Sequence, residues 1–155
     1  MPETTEKTLA EAAAHLRLVI NRTHRRMRQE AGSELPASNA SALSTLELYG
    51  PVTPSELADI ERIQRPTATR LLRALKEQGL VERTPDPKDG RSALISITGE
   101  GRERLRRLRR RKNAYLARRM RELEPADVKI LERAAEVLER LLAGDREPGR
   151  GEGRA

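Results

Sequence analysis

The sequence predicts a mainly α-helical chain with one small β-hairpin, a winged helix-turn-helix flanked by N- and C-terminal dimerisation helices. Three observations predict it. Ala68, Leu71, Leu72 and Leu75 recur at i, i+3, i+4 and i+7, which is one buried helix stripe. Just downstream, a strand pattern is followed by Asp89-Gly90, a strong reversal signal, and then by Ala93, Ile95 and Ile97 in alternation. Both ends of the chain carry long helical patterns whose apolar seams need a partner.

Each element has its own signals. Residues 1–6 are polar and are expected to fray. Residues 7–30 read as a long helix with Leu9, Ala13, Leu16, Ile20 and Met27 on one face. A connector with Gly, Ser and Pro spans 31–38, and a short helix over 39–49 turns Leu43 and Leu46 inward before Gly50-Pro51 stops it. Thr53, Pro54 and Glu56 form a capping-box start for the next helix, which ends near 60–62. Gln64 is the N-cap candidate of the following helix; Lys76 sits in its last turn and Gly79 can take the left-handed conformation that ends it. Residues 80–84 read as a strand and 85–90 as a turn whose two prolines keep the loop out of the ladder. Thr98 caps a long helix over 100–123 with a seam of Leu105, Leu108, Leu116, Met120 and Leu123, interrupted by Lys112. Pro125 suits a first helical position, and the last helix places Val128, Leu131, Ala135, Leu138 and Leu142 on one face. The resulting organisation is dimerisation helices over 7–30 and 100–142, a DNA-binding lobe over 39–99, and a disordered tail over 143–155 rich in Gly and charge.

Composition narrows the function. The 155 residues suffice for one domain with a modest core. Hydrophobic and charged content are nearly equal, 36% and 35%, which favours a dimer in which polar helices share a core. There is no Phe or Trp, so Leu, Ile, Val and Ala must fill the interior. The net charge is +7, carried by 26 Arg and 5 Lys, which suits nucleic acid or an anionic surface. The charge is uneven: residues 101–121 hold eleven cations against one Glu, whereas 53–97 hold eight against seven acids. The run Arg102 to Lys112 reads either as a solvated face, partly offset by Glu132, Glu136 and Glu139, or as long-range attraction to DNA. The absence of Cys excludes disulfides, thiolate metal sites and thiol redox sensing. Two isolated His and no Gly-rich phosphate loop leave nucleophile–base pairs and metal clusters without parts, so an enzyme is not expected, nor any metal or cofactor. The N-terminus is too polar for a signal peptide and no apolar run approaches the roughly 18 residues of a membrane span, so a cytoplasmic protein is expected.

The helix around the apolar stripe shows where DNA would be read. The face opposite that stripe carries Pro66, Thr69, Arg70 and Arg73, and Arg65, Pro66, Thr67, Thr69 and Arg70 lie in the helix's N-terminal half, near base edges of double-stranded DNA. Arg bonds guanine in bidentate fashion and a Thr methyl packs on a thymine methyl; Arg73, farther along, suits a phosphate. Two other classes fit the same fold: a ligand-unresponsive architectural DNA-binding protein, and a winged helix used as a protein interaction module.

Gly79 to Arg83, reading GLVER, then Asp89-Gly90-Arg91, Ile97-Thr98 and Gly101 resemble the MarR (multiple antibiotic resistance regulator) family of bacterial transcription regulators. These motifs cover about a third of the chain; the flanking helices match in pattern and length. The resemblance implies a homodimer whose first and last helices pair, a palindromic operator, and repression relieved by a small ligand. It further implies that Arg91 is the wing-tip Arg that enters the minor groove, held by Asp89, with Lys88 on the same loop. The family's ligand cleft lies between the dimer helices and the reader lobe, which makes His24, Tyr49 and Tyr115 the effector-contact candidates, alongside a packing or surface role for each.

Overall fold

A computed structural model describes residues 2–32 and 34–143, with side chains from residue 8 onward. The element order is α1 (Pro2–Glu30), α2 (Ala37–Tyr49), α3 (Pro54–Glu61), α4 (Arg65–Glu77), β1 (Val81–Pro85), β2 (Ala93–Ile97), α5 (Gly99–Met120) and α6 (Pro125–Ala143). The chain divides into two compact units, one ending at Tyr115 and one beginning at Leu116.

In the first unit the core is built of leucine, as a chain without Phe or Trp requires. Leu43 and Leu46 of α2, Leu57 of α3, Leu75 of α4, Leu105 of α5 and, between α4 and β1, Leu80 are its largest fully buried side chains. Ala68, Leu72 and Leu75 of the α4 stripe are buried and Leu71 half-buried. The α3 start forms as expected: Thr53 Oγ1 accepts from Glu56 N, and the Glu56 carboxylate accepts from Thr53 N at 2.7 Å. After α3 the chain turns at Arg62, the described non-glycine residue held at positive φ (52°). That conformation favours glycine, so the turn into α4 carries backbone strain.

β1 and β2 pair antiparallel from Val81↔Ile97 to Pro85↔Ala93. Ala93, Ile95 and Ile97 point into the core, as their alternation predicts. Pro85 was expected in the turn but ends the strand. β1 is the edge strand, where a missing N–H is tolerated, because the far side of β2 is occupied by Val52. Val52 and Ile95 exchange both main-chain hydrogen bonds, at 3.1 and 2.8 Å, a contact the sequence reading did not contain.

Thr98 ties the hairpin to α5. Its Oγ1 donates to Gly79 O at 2.7 Å and accepts from Gly101 N at 3.1 Å, and its own N–H reaches Leu80 O. A Cβ at position 101 would stand 2.2 Å from Leu80 O, so the Thr-x-x-Gly helix start is a packing requirement.

Three helix limits differ from the expectation by two residues or more. α1 is helical from Pro2, not frayed to residue 6, because Pro at a first turn followed by Glu and Lys favours the helix. α2 starts two residues early, at Ala37, with Pro36 as an N-cap lacking a side-chain bond. α5 ends at Met120, short of Leu123. In the second unit Pro125 begins α6 as expected, and no described side chain of that helix is buried. Ala143 closes α6; the rest of the expected tail lies outside the described residues.

Candidate nucleic-acid interface

α4 presents the six residues expected of a reader. Arg65, Pro66, Thr67, Thr69, Arg70 and Arg73 are all exposed, on the side away from the buried stripe. Gln64 is the N-cap residue, but its side chain makes no capping bond; its carbonyl accepts from Thr67 N and Ala68 N at 2.9 and 3.0 Å. Thr69 Oγ1 donates to Arg65 O at 3.0 Å, committing its hydrogen to the helix and leaving its methyl and oxygen lone pairs for a partner. Among the described residues, Arg65, Arg70 and Arg73 have no acidic partner. A cleft of about 260 Å³ joins Thr69 and Arg73 to Lys76, Glu82 and Arg83 of the hairpin. Lys76 and Arg83 thus extend the basic surface. In the sequence Lys76 marks only a helix end and Arg83 only the close of GLVER, so neither signals a place on this surface.

The wing loop is shaped by two aspartates that bind the backbone. Asp86 Oδ1 accepts from Lys88 N at 2.8 Å and Asp89 Oδ1 from Arg91 N at 3.0 Å. Ser92 N donates to Asp89 O at 2.9 Å and Asp86 N to Ser92 O at 3.1 Å, closing the turn. Lys88, Asp89 and Arg91 are exposed. Asp89 therefore fixes the main chain beneath Arg91, where a grip on the guanidinium had been the expectation.

The α5 arginines are engaged very differently. Glu103 meets Arg106 at 2.8 Å and Arg110 at 3.0 Å, and Glu100 lies 3.7 Å from Arg104. Arg109 reaches Glu47 of α2 at 2.7 Å, and Arg111 reaches Glu34 at 3.0 Å and Ala31 O at 3.2 Å. Hydrogen bonds from Arg111 hold the Glu34 carboxyl below the usual carboxylate range, and those from Arg106 and Arg110 do the same for Glu103. The acids that offset this run are thus Glu34, Glu47, Glu100 and Glu103. Of the α6 acids expected to do so, Glu136 pairs with Arg133 on its own helix.

The three effector candidates separate. His24 lines a cavity of about 250 Å³ with Arg28, Ser44, Leu108, Arg109 and Lys112. Tyr49 borders an open surface cleft of about 370 Å³, beside Glu61. Tyr115 is half-buried on α5. Among the described residues no helix is long and apolar enough to cross a membrane, and no group of His, Asp and Glu is arranged to hold a metal ion.

Two helices, a tight turn and a β-hairpin, with the second helix exposing its basic face, define a winged helix-turn-helix protein. The MarR family model matches residues 35–93. A helix-turn-helix transcriptional regulator of Mycobacterium bovis is 36% identical over 130 residues, spanning 83% of this chain and 91% of its own length. A Pseudomonas aeruginosa transcriptional regulator structure superposes with a TM-score of 0.78 at 34% identity, covering 86% of this chain and 95% of its own. An Escherichia coli MarR mutant crystallised with operator DNA shares the fold at a TM-score of 0.59 and 22% identity, covering 81% and 91%. The chain belongs to the MarR family of transcriptional regulators.

Proposed function

We propose that the protein is a sequence-specific regulator that binds a palindromic operator as a homodimer, acts as a repressor, and is released by a small ligand. The observation that carries DNA reading is the α4 face: exposed arginines that have no acidic partner among the described residues, on a helix whose other side is anchored in the core. Arg91, exposed on a loop braced by Asp86 and Asp89, adds a cation suited to a narrow minor groove. The E. coli relative's complex with operator DNA supports the same reading.

Dimerisation is supported by apolar surface at both ends of the chain. Leu9 of α1 is 69% exposed and Leu141 of α6 62%, and Leu16, Ile20, Ile130 and Leu131 are exposed as well. Burying such faces at about 25 cal/mol per Å² drives association. A ligand is supported by the His24 cavity, whose Arg28, Arg109 and Lys112 suit a small carboxylate.

The deciding experiment is selection of DNA fragments by the purified protein from a random pool, followed by binding to the selected site and to random DNA at two salt concentrations. The expected site is an inverted repeat with half-sites roughly 10 bp apart, bound in preference to random DNA. A specificity ratio near unity points instead to an architectural protein. Absence of salt-dependent DNA binding points to a protein interaction module. Sedimentation at micromolar concentration should give about twice the 17.4 kDa chain mass.

A further inference from the structure

We propose that the cleft between α2 and the end of α3 is a binding site for a small organic ammonium ion with an apolar body. The cleft is broadly open to solvent and offers about 370 Å³, room for a small ion whose far side stays in water. At its polar end is the half-buried Glu61. Ser41 Oγ donates to Glu61 Oε2 at 2.6 Å and the Thr45 hydroxyl donates to Oε1. Both donors are neutral. Among the described residues no cation pairs with this carboxylate, although Arg62 is its sequence neighbour and also lines the cleft. Glu34, Glu47, Glu100 and Glu103, by contrast, each hold an arginine. Glu61 is thus an oriented negative group whose charge is left without a counterion.

The other wall is apolar and open. Leu48 is 74% exposed, Tyr49 55% and Ile60 41%, and all three line the same cleft. A single exposed leucine needs no explanation, but three large side chains around one carboxylate make a two-part surface. An ammonium group would pair with Glu61 and lie against the Tyr49 ring, while its hydrocarbon covers Leu48 and Ile60. A purely structural role, the hydroxyls tying α2 to α3, accounts for the Ser41 and Thr45 bonds. It leaves the missing counterion and the bare apolar wall unaccounted for.

This cleft is separate in chemistry from the basic His24 cavity, though Ser41 and Ser44 border both. Its location gives it a consequence. Ile60, Glu61 and Arg62 form the end of α3, two residues short of the start of α4 at Arg65, and Arg62 already holds the strained turn. Occupancy would bear on the orientation of α4, a consequence that rests on the DNA-reading proposal above; binding of the ammonium ion does not.

The test is calorimetric titration of the full chain, without DNA, with phenethylammonium and with its neutral counterpart 2-phenylethanol. The ammonium should bind at least about tenfold more tightly. Glu61→Gln keeps an oxygen acceptor for the hydroxyls and should bring the ammonium down to the alcohol's affinity without lowering the melting temperature by more than a few degrees. Leu48→Ser, at the surface, should weaken both probes. If Glu61→Gln does not fold, salt decides: the wild type's affinity for the ammonium should fall with salt while that for the alcohol stays constant. Equal binding of the two probes, full retention in Glu61→Gln, or no saturable binding to the wild type would each overturn the proposal. Because DNA is absent from the assay, failure of the DNA-reading proposal would leave this result standing.

Discussion

α4 with the wing and α5 both carry arginine, but they use it in opposite ways. On α4, Arg65, Arg70 and Arg73 stand exposed with no acid among the described residues, and Arg91 does the same at the wing. On α5, Arg104, Arg106, Arg107, Arg109, Arg110 and Arg111 are drawn onto Glu34, Glu47, Glu100 and Glu103. The sequence ranks the two regions the other way round, because residues 101–121 hold eleven cations against one acid and residues 53–97 are nearly balanced. Charge density along the chain is therefore a poor guide to which cations stand without an acidic partner among the described residues. What matters is which cations have their field cancelled at hydrogen-bond distance.

The largest effect should come from α4. Arg70→Ala is expected to cost about 1–3 kcal/mol of operator affinity and to relax base preference at particular positions of each half-site. Binding of the variant to a randomised operator pool measures both. A uniform loss across all sequences would make Arg70 a phosphate contact and remove it from the base-reading set.

Much of the fold is legible in the sequence, and the contrast between the two arginine sets is not, for a physical reason. The helix stripe, the capping box at Thr53, the Asp-Gly turn and the Thr98 start are local patterns, set by residues within a few positions of one another, and all formed. The acids that quench α5 include Glu47 and Glu34, which are 62 and 77 positions away in sequence from their arginines, beyond the reach of any helical spacing rule. Arg62 at positive φ and the Val52–Ile95 bridge depend on tertiary packing and left no signature. Pro85 departs from the turn its sequence suggests because an edge strand accommodates a proline, and edge position is set by the tertiary fold.

A smaller effect is expected at the wing. Arg91→Ala should lower affinity, weaken A/T preference at the outer flanks, and reduce the salt slope by about one ion per wing, leaving the central consensus intact. Asp89→Ala should give a weaker form of the same defect. Its carboxylate holds the backbone N–H of Arg91, so the variant loosens the loop without removing the cation. Operator binding at two salt concentrations checks both variants. Equal flank preference and equal salt slope in Arg91→Ala would make the wing a structural hairpin.

The smallest effect, and the sharpest limit on the comparison, lies at Glu103. It holds Arg106 and Arg110 on a solvent-facing stretch of α5, and their hydrogen bonds depress its pKa. A depressed carboxyl pKa means the fold favours the ionised form. Its contribution is present above the ordinary carboxylate value and is lost as pH falls through the lower folded value. The group is exposed, so solvent screens most of that contribution. Glu103→Gln should therefore shift the melting temperature at neutral pH by about 2 °C or less, and the difference from the wild type should vanish in acid, where both side chains are neutral. Its effect on DNA decides between the two readings of the arginine run. If α5 is a solvated, self-neutralised face, releasing Arg106 and Arg110 should change operator affinity less than about twofold and leave the salt slope unchanged. A several-fold gain in affinity with a steeper salt slope would mean that α5 attracts DNA and is restrained by its own acids. The two arginine sets would then differ in degree only.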